Sequence, residues 1–291
     1  MSQRSKSYPL ESGRIEDIPR TRAALEALLQ FHWEYYSELA FLRSRIYDSL
    51  KRSLLGPAKP YQFANWQRAI KYKYSLEPLS ARGSLVDPGG RFNIGEIDTT
   101  RFVAFPALYL ASDKPTALAE LLGRSDSLQS LTPYELALTK PNSITLVSVS
   151  GQLESVLDIH SSQVLAAFVD LIKDFQLSPA LKRKARKLGL PPRALILVRS
   201  ITFLHKELLK NNWRRWPMHF DVPSSSQIFG QIAKEAGIEG ILFPSALTGE
   251  PCLVVYPQNL AHSSSYVELD DPAPSKNVRG RIDAATFGDF I

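Results

Sequence analysis

Apolar side chains recur every three or four residues near the start of the chain: Leu25, Leu28, Leu29, His32, Tyr36, Leu39, Leu42, Ile46 and Leu50. That spacing predicts one apolar face of a long helix or of a helical hairpin. Asp17 ahead of Pro19 is a start signal, and Gly56-Pro57 is a stop. Leaving this face in water forgoes roughly 1.5–3 kcal/mol per large side chain. Residues 18–55 are therefore expected to dock as an integral layer, with Leu28, Leu39 and Ile46 mostly buried against the rest of the chain. His32, Trp33, Tyr35 and Tyr36 interleave with this face, and packing explains them more simply than a pocket does.

Beyond about residue 70 the pattern breaks into shorter runs. Strands are expected at Ala107–Ala111, Ile144–Val149, Leu195–Arg199, Gly240–Phe243 and Cys252–Tyr256, and helices at Pro115–Gly123, Val164–Asp174 and Gln227–Ala236. Pro and Gly punctuate nearly every junction. The mixture points to an α/β or α+β domain around one sheet. Residues 1–16 are polar, and the tail from Ser263 lacks sustained periodicity and is expected to wrap the surface.

Composition narrows the class. With 44% apolar residues the chain is not wholly disordered. Its 291 residues suit two domains, or one domain with insertions. No apolar stretch is long enough for a spanning helix, and the opening Met1-Ser2-Gln3-Arg4-Ser5-Lys6-Ser7 lacks the apolar core of a secretory leader. One cysteine, Cys252, excludes an intramolecular disulfide and a Cys-rich zinc site. Together these point to the cytoplasm, with no membrane partner. The net charge of +6 suits an acidic ligand, but by itself selects none.

Several chemistries lack their motifs. There is no Gly-Lys dipeptide for a P-loop and no Gly-x-Ser-x-Gly elbow. The five histidines (His32, His160, His205, His219 and His262) lack metal-ligand spacing, so no metal is expected. Cys252 lies in an apolar run and reads as a buried, inert thiol. Lys182, Arg183, Lys184, Arg186 and Lys187 read as a solvated helix or as a grip for an acidic surface. Trp213-Arg214-Arg215-Trp216 reads as a packed corner with Arg on Trp, or as a strand-binding surface. Direct nucleic-acid binding is not expected from these alone.

Three segments carry the chemistry. The first is Asp87-Pro88-Gly89-Gly90-Arg91-Phe92-Asn93, a tight turn presenting an arginine and an amide. The second is Leu108-Tyr109-Leu110-Ala111-Ser112, a strand leading into Thr116-Ala117-Leu118-Ala119-Glu120-Leu121. The third is Gly240-Ile241-Leu242-Phe243-Pro244-Ser245, a strand ending in a Pro-Ser turn. Glu120 is the most telling residue, because a carboxylate on an Ala/Leu helix face costs free energy unless it has a partner or a purpose. The other residues have plainer readings: Arg91 tying the turn to a carboxylate, Tyr109 as a core aromatic, Ser245 satisfying its own turn.

In this order the segments resemble the RES-domain family, whose signature runs Gly-Gly-Arg-aromatic-Asn, Leu-Tyr, Ala-x-x-Glu and a late Pro-Ser. The resemblance spans Leu79 to Leu260 and puts Arg91, Glu120 and Ser245 on the name-giving positions, with Tyr109 on the tyrosine. It implies an α+β fold similar to the ADP-ribosyltransferases, a mixed, split sheet with flanking helices. An N-terminal helical region (1–75) would precede a RES domain (76–262) with an insertion around 124–200, and a tail (263–291) would follow. The connection Ile94 to Val103 is longer than usual, and the compact members have no counterpart to the first 75 residues. Those members also carry an early-strand arginine where this chain reads Lys71-Tyr72-Lys73-Tyr74, leaving Arg68, a lysine or Arg82 as substitutes.

The resemblance implies the toxin of a toxin–antitoxin pair, neutralised by an Xre-type partner protein, that destroys NAD as substrate and needs no cofactor. The residues suit that chemistry. Cleaving the nicotinamide–ribose bond creates an oxocarbenium-like centre that one carboxylate, Glu120, can stabilise, and nicotinamide leaves neutral without a second acid. Arg91 offers a fork for the diphosphate, and Tyr109 a ring for the cationic nicotinamide. Ser245 offers a hydrogen bond to a ribose hydroxyl or phosphate, and Asn93 and Arg82 are further substrate-binding candidates. The expectation is an NAD glycohydrolase or phosphorylase, monomeric or homo-oligomeric. The alternatives are ADP-ribosyl transfer to a macromolecule and a non-catalytic interaction module. Arg91, Tyr109, Glu120 and Ser245 should line one cleft of several hundred Å³, on the order of a dinucleotide's size.

Overall fold

The computed structural model describes residues 18–123, 144–191, 195, 197–273 and 278–291. The start signal at Asp17, the polar residues 1–16 and the first part of the expected insertion (124–143) lie outside them.

Two helices, α1 (Ile18–Ser44) and α2 (Tyr47–Leu55), open the described chain, separated at Arg45-Ile46. Their deepest side chains are Phe31 and Tyr35 on α1 and Leu50 and Leu54 on α2. Leu50 and Leu54 belong to the main core, while Phe31 and Tyr35 pack on Leu177, Leu181 and Ala185. Leu28, Leu39 and Ile46 keep a minor part of their surface exposed, Ile46 packing against the main core and Leu39 against the Phe31 cluster, while Leu25 and Phe41 face solvent. The layer is thus held chiefly by aromatics and by α2. Polar ties add to it: Glu38 accepts from the backbone N–H and the hydroxyl of Ser178, and Lys184 pairs with Glu34 at 2.6 Å.

The strands are β1 (Lys59–Lys71), β2 (Gly89–Gly90), β3 (Asn93–Ile94), β4 (Leu108–Ala111), β5 (Ile144–Asp158), β6 (Gly240–Pro244), β7 (Pro251–Val255), β8 (Tyr266–Leu269) and β9 (Arg281–Ile282). The main sheet runs β1-β4-β7-β6-β5-β8-β9, and β5 also pairs along β1, so the first five close on one another. The β5–β6 pairing is parallel and the others antiparallel, which makes the sheet mixed. Remaining helices are α3 (Lys114–Leu122), α4 (Ala166–Ile172), α5 (Pro179–Lys187), α6 (Ile201–Leu209), α7 (Arg215–Phe220) and α8 (Ser225–Glu235). The fold class is α+β. One core lies between the sheet and the helices, around Ile241, Phe243, Val254, Phe168 and Phe229. A second, around Trp66, Leu110, Leu153, Leu253 and Val267, fills the other side of the sheet. Among the described residues no helix is long and apolar enough to cross a membrane.

The structure departs from the expected elements in four places. Strand β1 lies inside the segment read as helical. Its register shifts between Phe63 and Trp66, where Asn65 adopts φ 58°, and this bulge breaks the two-residue alternation. The described part of Leu195–Arg199 is not a strand, because Leu195 and Leu197 pack with Phe31 and Tyr35 under α1. Strand β5, expected to end at Val149, runs on to Asp158 as a central sheet member, so residues 144–158, inside the expected insertion, belong to the main sheet. The tail supplies β8 and β9 to the sheet and buries Phe290, where a surface wrap was expected.

Candidate active site

The Gly-Gly-Arg turn comes first. A Cβ on Gly90 would lie 2.3 Å from the Tyr109 hydroxyl, and one on Gly89, at φ +90°, 2.4 Å from the Gly95 nitrogen, so neither position admits a side chain. Helix α8 holds the turn from behind: Gln227 Nε2 donates to the carbonyls of Pro88 (2.7 Å) and Asn93 (3.0 Å). Asn93 is fully buried. Its Nδ2 donates to Ser84 O (2.8 Å) and Phe105 O (3.0 Å), while Oδ1 accepts from Gly90 N (2.8 Å) and the Tyr109 hydroxyl (2.9 Å). That exhausts an amide's bonding capacity. Asn93, expected at the substrate, instead shapes the turn.

Tyr109 stands on β4. Its hydroxyl donates to Asn93 and accepts from Phe92 N–H at 3.0 Å, and burial raises its pKa. The phenol is therefore a neutral internal hub, and the ring is what faces the cleft. Arg91 is buried, and its Nη1 donates to Lys210 O (2.8 Å) and Leu208 O (3.3 Å), carbonyls at the C-terminal end of α6. Burial lowers its pKa and the charge of Glu120 acts against that. An arginine tolerates the loss and remains a cation.

Glu120 owes its place to α3. Asp113 caps that helix by accepting from Thr116 N (2.8 Å), Pro115 follows in the first turn, and Gly123 closes it at φ +71°. Glu120 is half-buried between Ala117 and Leu121 on the cleft wall. The Ser245 hydroxyl donates to Glu120 Oε1 at 2.5 Å and accepts from Leu247 N and Thr248 N, both at 3.2 Å. The two amides occupy its lone pairs, so its proton is committed to the carboxylate. A 3.0 Å contact between the Thr116 and Thr248 hydroxyls ties α3 to the same turn. Ser245 is only 4% exposed and does not line the cleft. Expected on a ribose hydroxyl or phosphate, it positions Glu120 instead.

Arg91, Tyr109 and Glu120 thus meet at one cleft of about 780 Å³, open to solvent, whose walls also include Gln67, Trp213, Arg214, Phe243 and Cys252. A second hollow of about 850 Å³, between α1 and α8, is mostly apolar and has no carboxylate in its lining, so it offers nothing for this chemistry. Burial raises the pKa of the Cys252 thiol, which stays protonated and inert. Among the described residues no cluster of His, Cys, Asp and Glu is arranged to hold a metal ion.

Arg82 does not reach the cleft. Its Nε donates to Ile291 O (3.0 Å) and its Nη2 to Asp289 O (3.3 Å), which pins the C-terminus. Arg68 alternates along β1 with the cleft-lining Gln67 and Ala69, so it falls on the other side of the strand, where Nη2 donates to Ser80 O at 2.6 Å. Burial lowers its pKa to about 10. Neither stands in for an early-strand arginine at the cleft. Gln67, Trp213 and Arg214 were not expected there. The Trp-Arg-Arg-Trp run marked the segment, but its spacing gave no sign that it folds over the Gly-Gly-Arg turn.

The model of the RES domain matches residues 65–274, a span holding Arg91, Tyr109, Glu120 and Ser245. No curated protein matches the chain. Among solved structures, the chain is similar to one from the crystal structure of the M. tuberculosis MbcT–MbcA toxin–antitoxin complex. The identity is 16% and the TM-score 0.40, covering 83% of this chain and 96% of that one. With the model spanning most of the chain, residues 65–274 of 291, the protein belongs to the RES-domain family.

Proposed function

We propose that the protein binds NAD in this cleft and cleaves its nicotinamide–ribose bond. The observation that carries the reading is the Ser245–Glu120 hydrogen bond, which fixes one carboxylate beside Arg91 and the Tyr109 ring. The bond breaks with its electron pair going to the ring nitrogen, so nicotinamide leaves neutral. The positive charge left on the ribose carbon and ring oxygen is stabilised by Glu120, in a partly desolvated site where such stabilisation is strong. Water or inorganic phosphate then adds to that carbon and gives up a proton to the carboxylate or to solvent. The Tyr109 ring lies against the cationic nicotinamide before it leaves, and Arg91 pairs with the diphosphate. As a RES protein the chain is further read as a cytoplasmic toxin held in check by an Xre-type antitoxin.

The test is release of nicotinamide from NAD, with phosphate present or absent to separate phosphorolysis from hydrolysis. Glu120→Gln keeps an acceptor for Ser245 and is expected to stay folded while losing about 10²–10³ in turnover. Near-normal NAD consumption by the variant would remove Glu120 from the mechanism. A wild-type protein that leaves NAD intact but modifies a macromolecule from it would favour transfer. One that does neither would favour an interaction module.

A further inference from the structure

The cleft holds more positive charge than its own residues neutralise. Among the described residues its lining contains two guanidinium groups, Arg91 and Arg214, and one carboxylate, Glu120. That carboxylate is already engaged by Ser245. Arg91 commits Nη1 to the carbonyls of Leu208 and Lys210, which leaves it part of its fork. Arg214 is exposed, and its guanidinium lies 4.5 Å over the ring of the buried Trp213. No carboxylate pairs with it among the described residues. Stacking on an indole restricts the arginine without consuming its donors.

The corner carrying Arg214 is fastened to both halves of the site. Arg91 binds Lys210 O at its start, and Asn211 Nδ2 donates to Ala246 O (3.4 Å) in the Ser245 turn. We propose that Arg214 and Arg91 form a two-arginine anion subsite for the diphosphate of the dinucleotide, Arg214 supplying the freely available fork. This rests on the NAD reading above, but the subsite is a claim about diphosphate binding and can be tested without turnover.

The experiment is calorimetry of inorganic pyrophosphate and of ADP-ribose binding to the full chain, paired with NAD and nicotinamide riboside kinetics. Arg214→Ala is expected to weaken pyrophosphate and ADP-ribose binding by about tenfold or more and to raise the KM for NAD comparably. The KM for nicotinamide riboside, which has no phosphate, should not move. Arg214→Lys, which keeps the charge but not the planar fork, should fall between. Lys187→Ala, a cation lost from α5 away from the cleft, should bind as wild type does. A matching melting temperature for Arg214→Ala excludes a folding effect, and if it melts early, Arg214→Gln takes its place. Wild-type pyrophosphate binding that survives loss of Arg214, or no such binding at millimolar concentration, overturns the subsite. Arg214-dependent binding without nicotinamide release keeps the subsite and removes the reaction. Turnover of NAD that ignores Arg214 does the reverse.

Discussion

Removing the Ser245 hydroxyl separates positioning from binding. In Ser245→Ala, Glu120 loses a 2.5 Å donor, and the amides of Leu247 and Thr248 lose their acceptor. A hydrogen bond to a charged group contributes about 1.5–3 kcal/mol. If that free energy keeps the carboxylate aimed at the developing cation, its loss corresponds to about 10- to 100-fold in kcat, at 1.36 kcal/mol per decade. Ser245 is 4% exposed and does not line the cleft, so KM for NAD should change little. Steady-state nicotinamide release measures both constants. Thr248→Val is the comparison: it loosens the same turn by removing the contact to Thr116 without touching Glu120, and kcat should stay within about twofold. A raised KM at unchanged kcat in Ser245→Ala would refute the reasoning, because it would mean that the serine meets substrate directly.

Gly90→Ala puts a methyl 2.3 Å from the Tyr109 hydroxyl and 2.6 Å from Asn93 Oδ1, so the ring must move. We expect a destabilisation of about 1–3 kcal/mol with at least tenfold weaker NAD turnover, and a variant with wild-type melting and kinetics would show the turn to be looser than described. His32 is buried among Phe31, Trp216 and Phe220 with its Nδ1 unpartnered, and burial, followed by the charge of Arg215, lowers its pKa from 6.5 to about 4. The unfolded chain therefore takes up a proton at higher pH than the folded one. Stability from this group is complete above pH 6.5 and is lost as pH falls toward 4, by at most about 3 kcal/mol. Melting temperatures across that window should show the loss in wild type and a shallower slope in His32→Phe. An equal slope would assign the titration to other groups.

Local physics was enough for much of the molecule. Helix α3 is written in its cap, its proline and its closing glycine, Asp113, Pro115 and Gly123. Strands β6 and β7 are apolar runs buried along nearly their whole length, and the Gly-Gly-Arg turn is marked by two residues that cannot bear a Cβ. The order of these segments carried the family resemblance that brought Arg91, Tyr109 and Glu120 forward, and all three line one cleft. Tertiary structure decided the rest. Strand β1 was hidden because its bulge at Asn65 interrupts alternation, and Leu195 and Leu197 resemble a strand because burial under a helix selects the same residues. It also decided what each polar group does, since a donor can serve a ligand only if the protein has not already used it. Asn93 is spent on four internal partners, Arg82 on the C-terminus and Ser245 on a carboxylate 125 residues away. Arg214 keeps its donors because no carboxylate among the described residues folds against it. Those pairings depend on contacts distant in sequence, and no spacing or motif encodes them.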